Sequence, residues 1–362
     1  MNNNRLRDRD SIVTPKDIIF RVYGYTHPPQ AFICDVEYAP ASMYKSKDPR
    51  AKREGENQTV YFKFFSDQGL QFVRQKYPQY TIWYKPLQTR LVGVHLDQIK
   101  ETRKPEEALM KLLACRPSDS LLQSLHMLLD IIIERSGLSE TDFGVFGSLL
   151  HGFYNPKFSD LDFTVYDGEK LKQLRETLKT MYKERSSHLK NEFETEDAVK
   201  EKSKRWSFVN YTPQEYCWHQ RRKTIYAVFR AEATGRYIKT EFEPVKNWKE
   251  IHNEYDPMIR VFRKGWIKAI ASIVDDSESP FMPSIYGADV KRILEGKEAD
   301  DIRRIVSYIE EFRMQAERGE EVYVEGNLEQ VVSPRDSFHQ ITLSYGPRYY
   351  EQVLKVAKPY RQ

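Results

Sequence analysis

Phe143-Gly144-Val145-Phe146-Gly147-Ser148-Leu149-Leu150-His151-Gly152-Phe153-Tyr154-Asn155-Pro156-Lys157-Phe158-Ser159-Asp160-Leu161-Asp162-Phe163 is the stretch that decides how this chain is read. Residues 142–146 form a short strand that delivers the backbone to Gly147, where the missing Cβ permits a close approach. Ser148 then opens a helical turn whose first N–H groups have no partner within it, a setting that suits an anion such as a triphosphate. Asn155-Pro156 makes a loop. From Ser159 to Tyr166 the pattern alternates, and positions two apart on a strand point the same way, so Asp160 and Asp162 share a face. Two acids on one strand face repel unless a cation joins them. Oxygen ligands of this kind suit Mg2+ or Mn2+. In phosphoryl transfer, two metals about 3.5–4 Å apart can stabilise the attacking and leaving oxygens together. The bland alternative, Asp160 as a strand-end cap, leaves that repulsion unrelieved.

Outward from this stretch, two helices precede it. Pro105-Glu106-Glu107 opens one that runs to about Ala114, with proline and acids in the first turn. Ser118 or Ser120 caps the second, Leu121 to Ser136, and Gly137 ends it. After the stretch, Lys170 to Arg185 reads as an amphipathic helix, and residues 186–206 as a charged, solvated segment that could add another. Thr224–Ala233 and Arg236–Val245 read as two strands joined at Thr234-Gly235.

Both ends of the chain look β-rich. Ile18–Tyr23, Ala31–Tyr38 and Val60–Phe65 are strand candidates, Gln71–Lys76 a short helix, and Ser42–Asn57 a polar loop. Beyond residue 256, Trp266–Val274, Glu321–Gln330 and Phe338–Tyr345 read as strands, with Ala299–Glu317 as a charged amphipathic helix between them. The expected organisation is three parts: an N-terminal β-rich domain (1–100), a catalytic domain (101–255) and a C-terminal β-rich domain (256–362), the last a candidate oligonucleotide-binding-like barrel.

Composition narrows the classes. With 57 basic and 53 acidic residues the net charge is +4, which permits a nucleic-acid partner without demanding one. The three cysteines, Cys34, Cys115 and Cys217, form neither a disulfide framework nor a zinc motif, and a reducing cytoplasm fits. Met1-Asn-Asn-Asn-Arg5-Leu-Arg7 has no apolar core of a signal peptide, and no segment approaches the roughly 18 apolar residues of a membrane span. Oligomeric state is not legible.

Hydrophobic-Gly147-Ser148, an eleven-residue gap and Asp160-Leu161-Asp162 resemble the signature of the polymerase-β nucleotidyltransferase superfamily. The wording around it, with Gly24-Tyr-Thr-His-Pro-Pro29, is similar to archaeal nucleotidyltransferase-domain proteins. The resemblance implies an α+β fold with a mixed-sheet catalytic core. It implies an NTP substrate, and transfer of a nucleoside monophosphate to an acceptor hydroxyl, first of all an RNA 3′ end. Loss of catalysis in an RNA-binding or regulatory protein, and toxin-like transfer to a protein, are the competing implications.

By the same resemblance Gly147 and Ser148 hold phosphate, and Asp160 and Asp162 hold metal. The third carboxylate, a metal ligand and base, sits on a later strand three residues before a proline. In Tyr237-Ile-Lys-Thr-Glu241-Phe-Glu243-Pro244 that is Glu241, with Glu243 on the same face as the rival. The family more often has Asp here. Arg222 and Lys223, just upstream, are candidates to neutralise the triphosphate, or simply surface charge. His151 is expected to pack or cap locally; Trp218-His219 is a possible base-stacking pair, with a core tryptophan as the preferred reading.

Overall fold

The computed structural model describes residues 5–55, 59–65, 67–232 and 234–357. Residues 1–4, the end of the loop expected at 42–57 and the last residue of the strand expected at 224–233 lie outside them.

Within the described residues the chain is α+β. It begins with strands β1 (Ser11–Val13), β2 (Ile19–Val22), β3 (Ala31–Pro40), β4 (Lys52–Glu54) and β5 (Val60–Lys63), then helix α1 (Gln68–Lys76). β6 (Thr81–Tyr84), β7 (Thr89–His95) and β8 (Glu101–Arg103) lead to α2 (Pro105–Leu113) and α3 (Ser120–Ser136). Next come β9 (Phe143–Val145), the short α4 (Gly147–Leu150), β10 (Leu161–Tyr166), α5 (Gly168–Lys183) and β11 (Leu189–Asn191). Helices α6 (Glu196–Ser203) and α7 (Pro213–Lys223) precede β12 (Tyr226–Arg230) and β13 (Tyr237–Val245). The chain continues with β14 (Arg260–Asp275), β15 (Ser284–Gly296), β16 (Ile302–Ser307), β17 (Glu321–Val332), β18 (Ser337–Leu343) and β19 (Val353–Val356).

These elements form two compact units instead of three consecutive parts. One comprises the chain up to Ile82, Arg90–Asn191 and Thr224–Glu254; the other comprises Trp83–Thr89, Glu192–Lys223 and the chain from Tyr255. Residue 100, where a boundary is expected, falls inside the first unit, and ion pairs join the N-terminal residues to segments that follow it. Arg7 pairs with Glu106 at 2.9 Å and stacks on Tyr166, and Arg9 pairs with Glu243.

In the first unit, the N-terminal strands run in the order β4-β5-β3-β2-β1-β8, with β7 on β3 and β6 on β7. A second sheet runs β11-β12-β13-β10-β9, mixed because β10 and β13 are parallel while the other neighbours are antiparallel. Leu125, Leu128, Leu129 and Ile132 of α3 are buried at helical spacing. The helix is capped by Asp119, not by Ser118 or Ser120: its carboxylate accepts from the N–H groups of Leu121 (2.9 Å) and Leu122 (3.1 Å). A carboxylate also complements the positive end of the helix dipole. Gly137 ends α3 at φ 70°.

In the second unit, β14 pairs with β15, β15 with β16, β16 with β18, β18 with β17, and β17 again with β14, so five strands close on themselves. β16 and β18 are parallel; β19 adds to β17. Ile267, Ile273, Tyr286, Ile305, Val324 and Ile341 are among the residues filling the interior. The helix expected over 299–317 is instead strand β16 and a short turn at Glu310–Phe312. Ile302, Ile305, Ile309 and Phe312 mimic a helical period, but the β-branched Ile-Val pair is needed to pair with β15 and β18 and close the barrel. Strand β15 and helix α7 carried no clear local signal.

His219 of α7 is buried, whereas Trp218, the residue expected in the core, is half-buried. Its Nδ1–H donates to the Glu215 carbonyl (2.7 Å) and its Nε2 accepts from the Val356 N–H (3.1 Å). Only the neutral ring can do both, and burial lowers its pKa to about 3. A base held below its unfolded value of about 6.5 gives stability that is complete above that pH and lost as pH falls toward 3. We expect acid titration followed by urea unfolding to show stability falling by up to about 1.4 kcal/mol per pH unit across this window from His219. His219→Gln should flatten that slope; an unchanged slope refutes the assignment.

Candidate active site

β9 ends beside β10, and the Phe146 N–H donates to the Asp162 carbonyl at 3.1 Å. The next residue, Gly147, has φ +61°, and a Cβ placed on it would stand 3.1 Å from Asp162 Oδ2. The left-handed backbone favours glycine here, and a side chain would also require the Asp162 carboxylate to give way. The turn of α4 thus begins against the carboxyl of Asp162. Ser148 is buried, with its Oγ 3.4 Å from Ser159 Oγ.

The loop before Asp160 is pinned. Arg236 donates to the carbonyls of Pro156 (2.9 Å) and Ser159 (2.7 Å), while Ser159 Oγ accepts from the Asn155 N–H at 2.8 Å. Asp160 follows, exposed, at the entrance to β10, and Asp162 lies half-buried within the strand. The parallel register of β10 and β13 sets Asp162 directly beside Glu241, and Thr164 beside Glu243. Burial, then Glu241 and Asp160, push the Asp162 carboxyl up to about 8, with Glu37 adding to the shift and Lys63 opposing it. Asp160, Asp162 and Glu241 therefore lie within electrostatic reach of one another. As their side chains stand, no group of three or more His, Cys, Asp or Glu residues among the described residues is arranged to hold a metal ion.

The two rivals on β13 have different surroundings. Glu243 is 1% exposed and ion-paired with Arg9, itself 3% exposed. Glu241 is half-buried beside Asp162. Arg222 and Lys223 belong to the second unit. There the Arg222 guanidinium pairs with Glu320 at 2.6 Å and lies over Trp218, and the buried Lys223 donates to the Glu311 carbonyl at 2.7 Å. Their donors already serve that unit, which a sequence run of three cations does not disclose.

Residues outside the signature also reach this site. His151 is buried between Tyr38 and Phe153, with ring centroids at 5.4 and 5.1 Å. Arg103 Nη1 is 3.2 Å from His151 Nδ1, and the guanidinium can only donate, so the ring accepts there and carries its proton on Nε2, 3.7 Å from Glu37. Burial lowers the pKa of His151. Burial opposes ionisation of Glu37 too, but His151 and then Arg21 outweigh it and hold that carboxyl below its ordinary value. Glu37 and Lys63 come from the N-terminal sheet, and no local pattern in their strands sets them apart.

No family model matches the chain, and no solved structure matches it. An uncharacterised protein of Methanocaldococcus jannaschii is 23% identical over 358 residues, spanning 98% of this chain and 100% of that protein. Among the described residues no helix is long and apolar enough to cross a membrane.

Proposed function

We propose that this chain is a divalent-metal-dependent nucleotidyltransferase of the polymerase-β type, moving a nucleoside monophosphate from an NTP to an acceptor hydroxyl, with an RNA 3′ end as the favoured acceptor. One observation carries the reading: the register that sets Asp162 beside Glu241, with Gly147 closed against the Asp162 carboxyl. Carboxylates on neighbouring strand positions repel, and burial first, then the charges of Glu241 and Asp160, raise the pKa of Asp162. The donor set fits Mg2+ or Mn2+, and Asp160, Asp162 and Glu241 would hold it. When bound, the metal would neutralise charge on the phosphates and activate the acceptor hydroxyl.

The chain's own groups then have distinct roles. The Gly147-Ser148 turn seats phosphate beside Asp162. Glu241 takes the hydroxyl proton as the acceptor oxygen bonds to the α-phosphorus and the bond to pyrophosphate breaks. Arg236 fixes the loop that presents Asp160. The five-stranded barrel of the second unit, with its third strand parallel to its fifth, resembles an oligonucleotide-binding barrel and supports a nucleic-acid acceptor.

Transfer of label from each α-labelled NTP, with Mg2+ or Mn2+, into total RNA, DNA and protein tests the reading, with Asp160→Asn/Asp162→Asn run alongside. Label in RNA with the unaltered protein alone is the expected result. Label in protein would move the acceptor to the toxin-like class. No label in any fraction, from a folded protein that no NTP stabilises, would leave a retired site and overturn the proposal.

A further inference from the structure

The N-terminal sheet offers the site a cation that the nucleotidyltransferase signature does not contain. In β5, residues 61 and 63 point to one face. Tyr38 is paired with Lys63 across β3–β5, and Arg53 with Tyr61 across β4–β5. Tyr38, Arg53, Tyr61 and Lys63 therefore line a single face of that sheet. This face packs on the segment that leaves Gly147-Ser148: Phe153 lies 4.8 Å from Tyr38 and 5.5 Å from Tyr61, centroid to centroid, and His151 lies 5.4 Å from Tyr38. The row of side chains is thus set against the His151–Phe153 segment that follows the Gly147-Ser148 turn.

The other cations nearby are occupied. Arg53 donates to the carbonyls of Arg50 and Lys52. Arg103 is shared between Glu101 (2.7 Å) and His151. Arg21 pairs with Asp35 (3.4 Å) and approaches Glu37. Lys63 is half-buried, and its charge is felt by both Asp162 and Glu37. Among the described residues, however, its ammonium makes neither an ion pair nor a hydrogen bond. A half-buried lysine with its ammonium donors unused among the described residues, on the face packed against the segment that leaves the turn assigned to phosphate, matches an anionic ligand.

Building on the nucleotidyltransferase reading, we propose that Lys63 is a phosphate-binding residue of this site, donating to the β- and γ-phosphates that leave as pyrophosphate. The N-terminal sheet is then one wall of the active site, which accounts for its being built into the same compact unit as the carboxylate strands.

Titration of the full-length protein with each NTP and with pyrophosphate, in Mg2+, tests this by calorimetry. Lys63→Met is expected to weaken both ligands by about 10- to 100-fold, the usual range for a lost charge-assisted hydrogen bond. Lys63→Arg should retain most of the affinity. Lys52→Met, on the same hairpin but exposed and paired with Glu54, should bind as the unaltered protein does. Thermal midpoints without ligand check that each variant is folded. Equal affinity in Lys63→Met and the unaltered protein would overturn the inference alone, and so would an equal loss in Lys52→Met, which would mark a general charge effect. Absence of binding by the unaltered protein would instead remove the nucleotidyltransferase reading, and this inference with it.

Discussion

Arg9→Met is expected to cost the first unit about 3–5 kcal/mol, the usual penalty for removing one partner of a buried ion pair. The loss comes from the partner left behind. Glu243 is 1% exposed, lies near the C-terminal end of β13, and has the Arg9 guanidinium against its carboxylate. Deleting that charge strands an anion inside the protein, where it must take up a proton or let water in. Arg9 also approaches Asp8 at 3.6 Å, and Asp8 in turn accepts from the Gly24 N–H at 2.8 Å. The damage should therefore spread to the loop containing His27. Urea unfolding of Arg9→Met, Glu243→Gln and the double variant checks this. The double variant should be less destabilised than the sum of the two single changes, since it removes both members of the Arg9–Glu243 pair together. A cost below about 1 kcal/mol for Arg9→Met would show that the pair does not fix β13 in place.

The same strand supplies the second large effect. Glu241→Gln is expected to lower turnover at least about 100-fold, the lower end for loss of a general base, with little change in NTP affinity. Glu243→Gln should act in the opposite sense, lowering stability and leaving turnover of the remaining folded protein near normal. Register is the reason: Glu241 lies beside Asp162, whereas Glu243 lies beside Thr164 and points into the Arg9 pair. Single-turnover kinetics together with unfolding curves separate the two cases. A turnover defect in Glu243→Gln with Glu241→Gln active would reverse the assignment of the third carboxylate.

Much of the first unit was legible locally. The strand, glycine turn and strand of residues 143–166 follow from alternation and from the special conformation at Gly147, both properties of short segments. Helix α3 follows from the spacing of its leucines and isoleucines, and from Gly137. Its cap was misplaced by one residue, because Asp119 competes with two flanking serines and only the backbone geometry shows which side chain meets the free N–H groups.

What the chain decides by itself is thus what neighbours in sequence can settle: most of the elements, the glycine turn, and the strand that carries Asp162, which begins at Leu161 and leaves Asp160 just before it, not at Ser159 as its alternation suggests. Long-range pairing decided the rest. Whether Glu241 or Glu243 lies by Asp162 depends on the register of two strands about eighty residues apart, and a shift of one residue would turn the whole face over. Whether Ile302–Ser307 is helix or strand depends on β15 and β18, because closing a barrel outweighs a local helical period. Arg222 and Lys223 read as phosphate ligands until Glu320 and the Glu311 carbonyl, far along the chain, engage them. Lys63 and Glu37 enter the site only because the N-terminal sheet packs on the Gly147 turn, and a charge acts through space with no regard for its position in sequence.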